Sequence, residues 1–239
     1  MARPINADGR QTRQAILDAG LALFDEHGYY GTSLRDIASA VGVRESALYN
    51  YFPGKDALFT ALIDAAKEHR AERLTPVLEG AAGRDSRAIL KQVTTVILDA
   101  FAEPRQQQLF CVLMSDGMRL AREGRINLID RMTSGSTPLH RLLRDLVTRG
   151  HLRRQSPDLL ALEFMGPLLM WRHWQALHPN GPLVAKRAAF IRAHVAHFLN
   201  GAANQAGPRP KARAGSSERR AAARTSQPRS TVHHTPRIR

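Results

Sequence analysis

The chain has 239 residues, of which 43% are hydrophobic, so it can bury a packed core and is not a disordered protein. Its formal net charge is +14, but residues 1–55 are neutral and residues 204–239 contribute +8, so this total does not by itself indicate binding to nucleic acid. The single cysteine, Cys111, excludes an internal disulfide and a thiolate metal cluster, and the first residues lack an apolar segment of signal-peptide length, so we expect a cytoplasmic protein.

Apolar residues recur with helical spacing, and no run alternates as a strand would. Ser33 and Asp36 have the spacing of a capping box at the start of the second predicted helix, and Gly42 follows its end. The third predicted helix stops before Pro53, because the residue before a proline disfavours helical geometry. The helices predicted in this part of the chain cover residues 12–27, 34–40, 44–51 and 54–73.

The same periodicity continues to about residue 200, so the predicted fold class is all-α. After residue 203 the composition changes to Ala, Arg, Ser, Pro and Gly, which predicts a disordered basic tail over residues 204–239. Near the other end of the chain, Arg3, Arg10 and Arg13 are candidates for a flexible basic arm ahead of the first helix. The later predicted helices cover residues 86–102, 106–123, 125–131, 138–150, 157–177 and 182–199.

Two short helices joined by a glycine turn are the arrangement of a helix-turn-helix, here at about residues 33–52. The second of these helices carries polar side chains and one tyrosine on the side that faces away from its apolar residues, and such a helix fits a major groove about 12 Å wide. A three-helix core without a DNA role would explain the apolar positions equally well, but not Tyr49 exposed beside Asn50.

Five short segments of this region carry a resemblance to a known family: residues 28–29, 32–38, 41–43, 48–52 and 55–58. Their residue types and gapless spacing resemble the tetracycline-repressor (TetR/AcrR) family of bacterial transcriptional regulators over about residues 10–70. The resemblance implies an N-terminal three-helix DNA-binding domain and a larger C-terminal helical ligand-binding and dimerisation domain. With a flexible N-terminal arm over residues 1–9, the implied domains are 10–70 and 71–203.

The resemblance also implies which side chains contact DNA. Thr32 and Ser33 would place a hydroxyl and a helix N-terminus on a phosphate, and Tyr49 would contact the backbone or a thymine methyl group. Tyr51 and Lys55 would each reach a further phosphate. The implied DNA-binding residues are Thr32, Ser33, Arg35, Arg44, Glu45, Ser46, Tyr49, Asn50, Tyr51 and Lys55.

The region from residue 71 to residue 203 is too apolar to be only a spacer. Residues 159–170 are apolar nearly all round, which is typical of a buried helix, and the last helix has a strong apolar face. These two helices could form a four-helix interface with the same two helices of a second copy. The alternative is that both are buried within one chain. Candidates for a small-molecule pocket, each of which is equally compatible with plain core packing, are Phe110, Val112, Met114, Met118, Leu143, Met165, Trp171 and Trp174.

These features predict a homodimeric, ligand-responsive regulator, a repressor that a small, largely apolar effector releases from a pseudo-palindromic operator in double-stranded DNA. No catalytic constellation, metal-ligand spacing or cofactor motif is present in the sequence, so we expect neither an enzyme nor a cofactor, and no contact with a membrane. Two alternatives remain open: a sequence-indifferent, nucleoid-type DNA binder driven by the basic tail, and a ligand-binding protein without a DNA function.

Overall fold

The computed structural model describes residues 5–80, 83–127 and 137–202. Helices and turns make up these ranges and no β-strand occurs in them, which confirms the predicted fold class. The first four helices are α1 (Ile5–Gly31), α2 (Leu34–Val41), α3 (Glu45–Leu48) and α4 (Lys55–Glu79). Those that follow are α5 (Ser86–Ala102), α6 (Pro104–Val112), a π-helical turn (Leu113–Gly117), α7 (Met118–Arg122), α8 (Pro138–Thr148), α9 (Pro157–Leu177), a short 3-10 turn (Val184–Lys186) and α10 (Arg187–Ala202).

Several helix bounds differ from those predicted. α1 begins at Ile5, so the flexible arm predicted over residues 1–9 is wrong for residues 5–9. Arg10 and Arg13 therefore belong to α1, and the Arg13 guanidinium lies 5.0 Å from the centroid of the Phe52 ring. Residues 125–127 are not helical, contrary to the prediction, and the other predicted helical residues of that segment lie outside the described residues. Arg3 and the predicted tail over residues 204–239 lie outside them as well.

α4 continues through Pro76 to Glu79 although the proline was expected to follow its end. A proline removes one main-chain donor and disfavours a helix interior, so tertiary packing must compensate. Leu74 and Val77, on either side of Pro76, are both buried. α4 therefore crosses the predicted domain boundary at residues 70 and 71 without a break, and the division into two domains stays a prediction.

Two apolar cores flank this long helix. The first core lies among α1 to α4 and is closed by α6 and α7; its aromatic centre is Phe24, Tyr29 and Phe59, with ring centroids 5.4 to 5.7 Å apart. The second core lies among α5, α8, α9, α10 and the C-terminal part of α4. Because α4 contributes side chains to both cores, it connects the helix-turn-helix to the rest of the protein.

The closest approach between α1 and α4 depends on Gly20. A Cβ at this position would lie 2.7 Å from Cδ2 of Leu58, which is fully buried. We expect Gly20→Ala to lower the free energy of unfolding by about 1–3 kcal/mol, as overpacking of a core usually does. Urea denaturation measures this change.

Gly9, in the same helix, is the matched control, because a Cβ there would meet no atom within 4 Å. Gly9→Ala is expected to raise the free energy of unfolding by about 0.5–1 kcal/mol, the usual gain from glycine to alanine inside a helix. Equal effects of the two substitutions would contradict the packing argument.

Candidate nucleic-acid interface

Local hydrogen bonds fix the start of α2 and the turn from α2 into α3. Ser33 Oγ accepts a hydrogen bond from the Asp36 main-chain N–H at 3.1 Å, and the Asp36 carboxylate accepts one from the Ser33 N–H at 2.9 Å. α2 ends at Gly42, whose φ of 76° lies in the left-handed region that glycine tolerates best. The Val43 N–H donates to the Ala38 carbonyl at 3.0 Å and leads the chain into α3. The predicted capping box and glycine turn are both confirmed.

α3 turns one side into the first core and the other side to solvent. Leu48 is fully buried and anchors the helix, whereas Tyr49 is 50% exposed. The helix ends at Leu48, earlier than predicted, and the N–H groups of Tyr51 and Phe52 then donate to the Leu48 carbonyl at 2.9 and 3.0 Å. We call the exposed side the reading face, which consists of Arg44, Glu45, Ser46, Tyr49 and Asn50.

Thr32 does not lie where its predicted role requires. Its side chain is only 2% exposed, and its hydroxyl is within hydrogen-bond distance of the carbonyls of Leu23, at 3.0 Å, and Gly28, at 2.9 Å. These carbonyls are left over where α1 is interrupted at Gly28, whose φ is 73°. The predicted contact between the Thr32 hydroxyl and a phosphate is therefore wrong for this structure, because that hydroxyl already satisfies main-chain groups in the protein interior.

Lys55 is likewise engaged inside the protein. Its ammonium Nζ donates to the main-chain carbonyls of Tyr29, at 2.6 Å, and Thr32, at 2.5 Å, and lies 4.3 Å from the centroid of the Tyr29 ring. Burial, with a smaller contribution from Arg125, lowers the pKa of Lys55 below its ordinary value. Two of the three ammonium donors are used, so the predicted role as a free phosphate-binding charge conflicts with the geometry.

The other residues predicted to contact DNA on either side of α3 are more accessible. Ser33 and Arg35 are exposed at the start of α2, while Tyr51 is half-buried against the first core. Hydrogen bonds from Ser33 lower the pKa of the Asp36 carboxyl, so this acid stays ionised at the N-terminus of α2. A phosphate approaching that helix end would meet an acidic group already bonded there.

A polar cluster, which we call the Tyr29 junction, ties the end of α1 to α4 and to the segment around α7. It consists of Tyr29, Asp56, Asp116 and Arg125. The Tyr29 hydroxyl donates to the Asp56 carboxylate, which also accepts hydrogen bonds from Arg125 at 2.8 and 3.1 Å. The π-helical turn positions Asp116 to accept the Tyr29 main-chain N–H at 2.8 Å. Burial, followed by the hydrogen bond with Asp56, raises the pKa of Tyr29 and keeps its hydroxyl protonated.

Sequence reasoning missed this junction. Tyr29 and Asp56 lie in the segments that carry the family resemblance, but Asp116 and Arg125 are 69 to 96 residues from their partners. No spacing rule brings such distant residues together.

Comparisons with known proteins agree with this geometry. The sequence model "Bacterial regulatory proteins, tetR family" matches residues 16–62. The HTH-type transcriptional regulator SrpR of Pseudomonas putida is 32% identical over 157 residues, which cover 64% of this chain and 68% of SrpR. The chain belongs to the TetR family. It is thus a transcriptional regulator with a DNA-binding helix-turn-helix.

Further TetR-family relatives give the same result. The HTH-type transcriptional regulator AcrR of Shigella flexneri is 30% identical over 109 residues, which cover 46% of this chain and 50% of AcrR. A TetR-family regulator of Mesorhizobium loti has a solved structure that matches with a TM-score of 0.64 at 20% identity, over 82% of this chain and 98% of that one. A second, from a Shewanella species, matches with a TM-score of 0.61 at 24% identity, over 81% and 99% of the two chains. At these identities, the two structures show the fold alone.

The residues predicted to line a pocket of this TetR-family protein are divided between parts of the fold, although Leu143, Met165 and Trp171 share the second core. Val112 belongs to the first core, and Leu143 and Trp171 to the second. Phe110 is buried and Met165 is half-buried. Three are largely exposed: Met114, Met118 and Trp174. None of the eight lines the cavity of about 230 Å³ between α1, α4 and α6 or the groove of about 320 Å³ between α9 and α10, so the pocket that they were expected to line stays a prediction.

The prediction that residues 159–170 form a helix buried on all sides is wrong within one protomer. One side of α9 fills the second core, but the other leaves a row of large apolar side chains in solvent, because no described helix covers it. We call this row the α9 outer face: Leu159, Leu162, Met170, Trp174 and Leu177. By contrast, the apolar side of α10 packs inside the chain, where Phe190 stacks on Trp171 at 4.3 Å and Val195 is fully buried.

Three further observations concern the cysteine, metal-ligating side chains and membrane-spanning helices. Cys111 is exposed on α6. Within the described ranges, no group of three or more metal-ligating side chains could hold an ion. No described helix is long and apolar enough to cross a bilayer.

Proposed function

We propose that this TetR-family regulator is a homodimeric repressor that binds a pseudo-palindromic operator through the reading face and leaves it when a small molecule binds. The observation that carries this proposal is that polar side chains and one half-exposed tyrosine surround a buried anchor, Leu48, on a helix that a glycine turn directs outward. Such a surface can present hydrogen-bonding groups and an aromatic ring to base edges. Ser33, Arg35 and Tyr51 are retained as flanking contacts, while Thr32 and Lys55 are assigned to the interior.

The α9 outer face supports the dimer. Five exposed large apolar side chains on one side of a helix indicate an interaction surface, and a second copy of the same face buries it by two-fold symmetry. A two-fold axis also gives two copies of α3, so that each can meet one half of a palindrome about one helical turn of DNA apart.

The continuous α4 supports the response to a ligand. Its C-terminal part lies in the second core, and its first residue holds the end of α1 through two carbonyls. A ligand that favours a different position of α4 would therefore shift the population away from the DNA-binding arrangement. By linkage, DNA would weaken the binding of that ligand by the same factor.

Tyr49 provides a direct test of the reading face. Tyr49→Ala is expected to weaken operator binding by about 1–3 kcal/mol, the range for a good groove contact, without changing the unfolding curve. Footprinting of the regions flanking the protein's own gene first identifies the operator, and gel shifts then measure affinity. Gln108→Ala, an exposed position on α6, is the control and is expected to bind as the unmodified protein does.

An unchanged affinity after Tyr49→Ala would remove this residue from the interface. The nucleoid-type alternative is tested in the same assay by removal of residues 204–239, which should leave sequence-specific binding intact. Loss of all binding in that truncated protein would favour the alternative.

A further inference from the structure

Arg172, in the middle of the protein, has an unusual environment. It is only 7% exposed, and its guanidinium lies between two aromatic rings, 4.5 Å from the centroid of Phe101 and 4.3 Å from that of Phe110. One of its terminal nitrogens donates to the main-chain carbonyl of Gln106. Its Nε is buried and has no hydrogen-bond partner in the part of the chain that the structure describes.

A second arginine reaches the same place from α4. Arg70 Nη1 lies 3.4 Å from Oε1 of Gln106, so the two guanidinium groups share one glutamine. Among the described residues, no ion pair includes Arg70 or Arg172. Burial, with a contribution from the charge of Arg70, lowers the pKa of Arg172 to about 9. Two like charges therefore lie in a poorly solvated site with only neutral oxygens as partners.

Glu103, the residue before α6, does not resolve this imbalance. Glu103 is already paired with Arg73 and with the His69 imidazole, 2.7 Å away. An unpaired buried charge is costly, and a well-packed apolar residue at such a position is often at least as stable. Perturbed buried charges are concentrated at functional sites, so this pair is better explained by a partner that is absent from the chain itself.

A cavity lies beside the pair. The cavity of about 230 Å³ between α1, α4 and α6 has Gln106 and Leu109 in its wall, and Gln106 also contacts both guanidinium groups. Its volume is below the roughly 300–1,000 Å³ of sites for drug-sized ligands, which favours a small molecule.

We propose that the effector of this regulator is a small organic acid whose carboxylate binds Arg70 and Arg172 in place of the oxygens of Gln106. This inference rests on the proposed ligand response. A carboxylate offers two oxygens in the planar geometry that a guanidinium fork matches. The rings of Phe101 and Phe110 and the side chain of Leu109 supply apolar surface for the rest of the acid. The largely apolar effector expected from the sequence is thus replaced by an anionic one.

Thermal unfolding of the full chain without DNA tests this proposal separately from operator release. Benzoate is the probe, benzamide is its neutral isostere, and inorganic phosphate is the anion without an apolar body, each at the same millimolar concentration and ionic strength. Benzoate is expected to raise Tm by about 2 °C or more, and benzamide and phosphate to have little effect. An equal shift with benzamide, or no shift with benzoate, would overturn the proposal. A larger shift with phosphate would indicate an inorganic oxyanion site and overturn the organic-acid assignment.

Substitutions of the two arginines test whether the change in Tm with benzoate arises at this site. Arg172→Met keeps the volume and removes the charge, so it is expected to have a Tm at least equal to that of the unmodified protein and to lose the shift with benzoate. Arg70→Met is the second variant, with the same expectation, should Arg172→Met not be recovered folded. Arg122→Met, an exposed arginine on α7, is the control and should keep the shift. A benzoate shift that survives in both buried variants, or a lowered Tm in both, would mean that the arginines are structural.

Discussion

Replacement of Leu162 by glutamate is expected to convert the dimer into a monomer and to weaken operator binding by about 10²–10⁴-fold, the usual gain from linking two binding modules. Leu162 is 65% exposed in the protomer and belongs to the α9 outer face, so its neighbours in the dimer are the same apolar side chains of a second copy. A carboxylate placed there has no cationic partner in that face and would be buried unpaired. Light scattering after size-exclusion chromatography measures the mass, and gel shifts measure the affinity.

Met118 is the matched control for this experiment. It is an apolar residue with similar exposure, 50%, but it lies on α7 rather than on the α9 outer face. Met118→Glu should therefore leave the mass of the dimer unchanged. If both variants stay dimeric, the second copy binds elsewhere on the protein and the proposed interface is wrong.

Lys55→Met is expected to lower the free energy of unfolding by about 1.5–3 kcal/mol, the range for a hydrogen bond to a charged group. The substitution removes the only contacts of this ammonium with the carbonyls of Tyr29 and Thr32 and leaves those carbonyls without that donor. Urea denaturation monitored by circular dichroism measures the loss. Lys186→Met removes the same charge from an exposed position and should change stability little.

The same variant separates the structural role of Lys55 from the phosphate role that the family resemblance implied. If the lysine is structural, the variant that remains folded should show the same slope of log affinity against log salt as the unmodified protein. A slope smaller by about one unit would instead show that one phosphate contact was lost.

Local features of the helix-turn-helix could be predicted from the sequence because their partners are close in the chain. The capping box joins Ser33 to Asp36, and Gly42 alone sets the turn into α3. Thr32 and Lys55 were assigned to DNA because the family resemblance implied phosphate contacts at these positions. Their actual partners are carbonyls exposed by the interruption of α1 at Gly28, and that local geometry is not encoded in any spacing.

The all-α fold class of the larger helical region could be predicted from the sequence, but which of its surfaces are buried could not. Apolar residues all round α9 predict that both sides are buried, but periodicity cannot distinguish a core from an interface, and one side of α9 is exposed in the protomer. The pairing of Arg70 with Arg172 brings together residues 102 positions apart, and only the packing of α4, α6 and α9 reveals it. For the same reason, the candidate pocket residues were chosen by type and fell into different parts of the fold.

Because α4 is a single unbroken helix, a small tilt of it displaces its far end. At 1.5 Å per residue, Arg70 lies about 22 Å along the helix from Lys55, so a tilt of about 5° at one end displaces the other by about 2 Å. If a ligand moves one guanidinium of the arginine pair, as proposed, a tilt of α4 would shift the two copies of α3 relative to the DNA grooves.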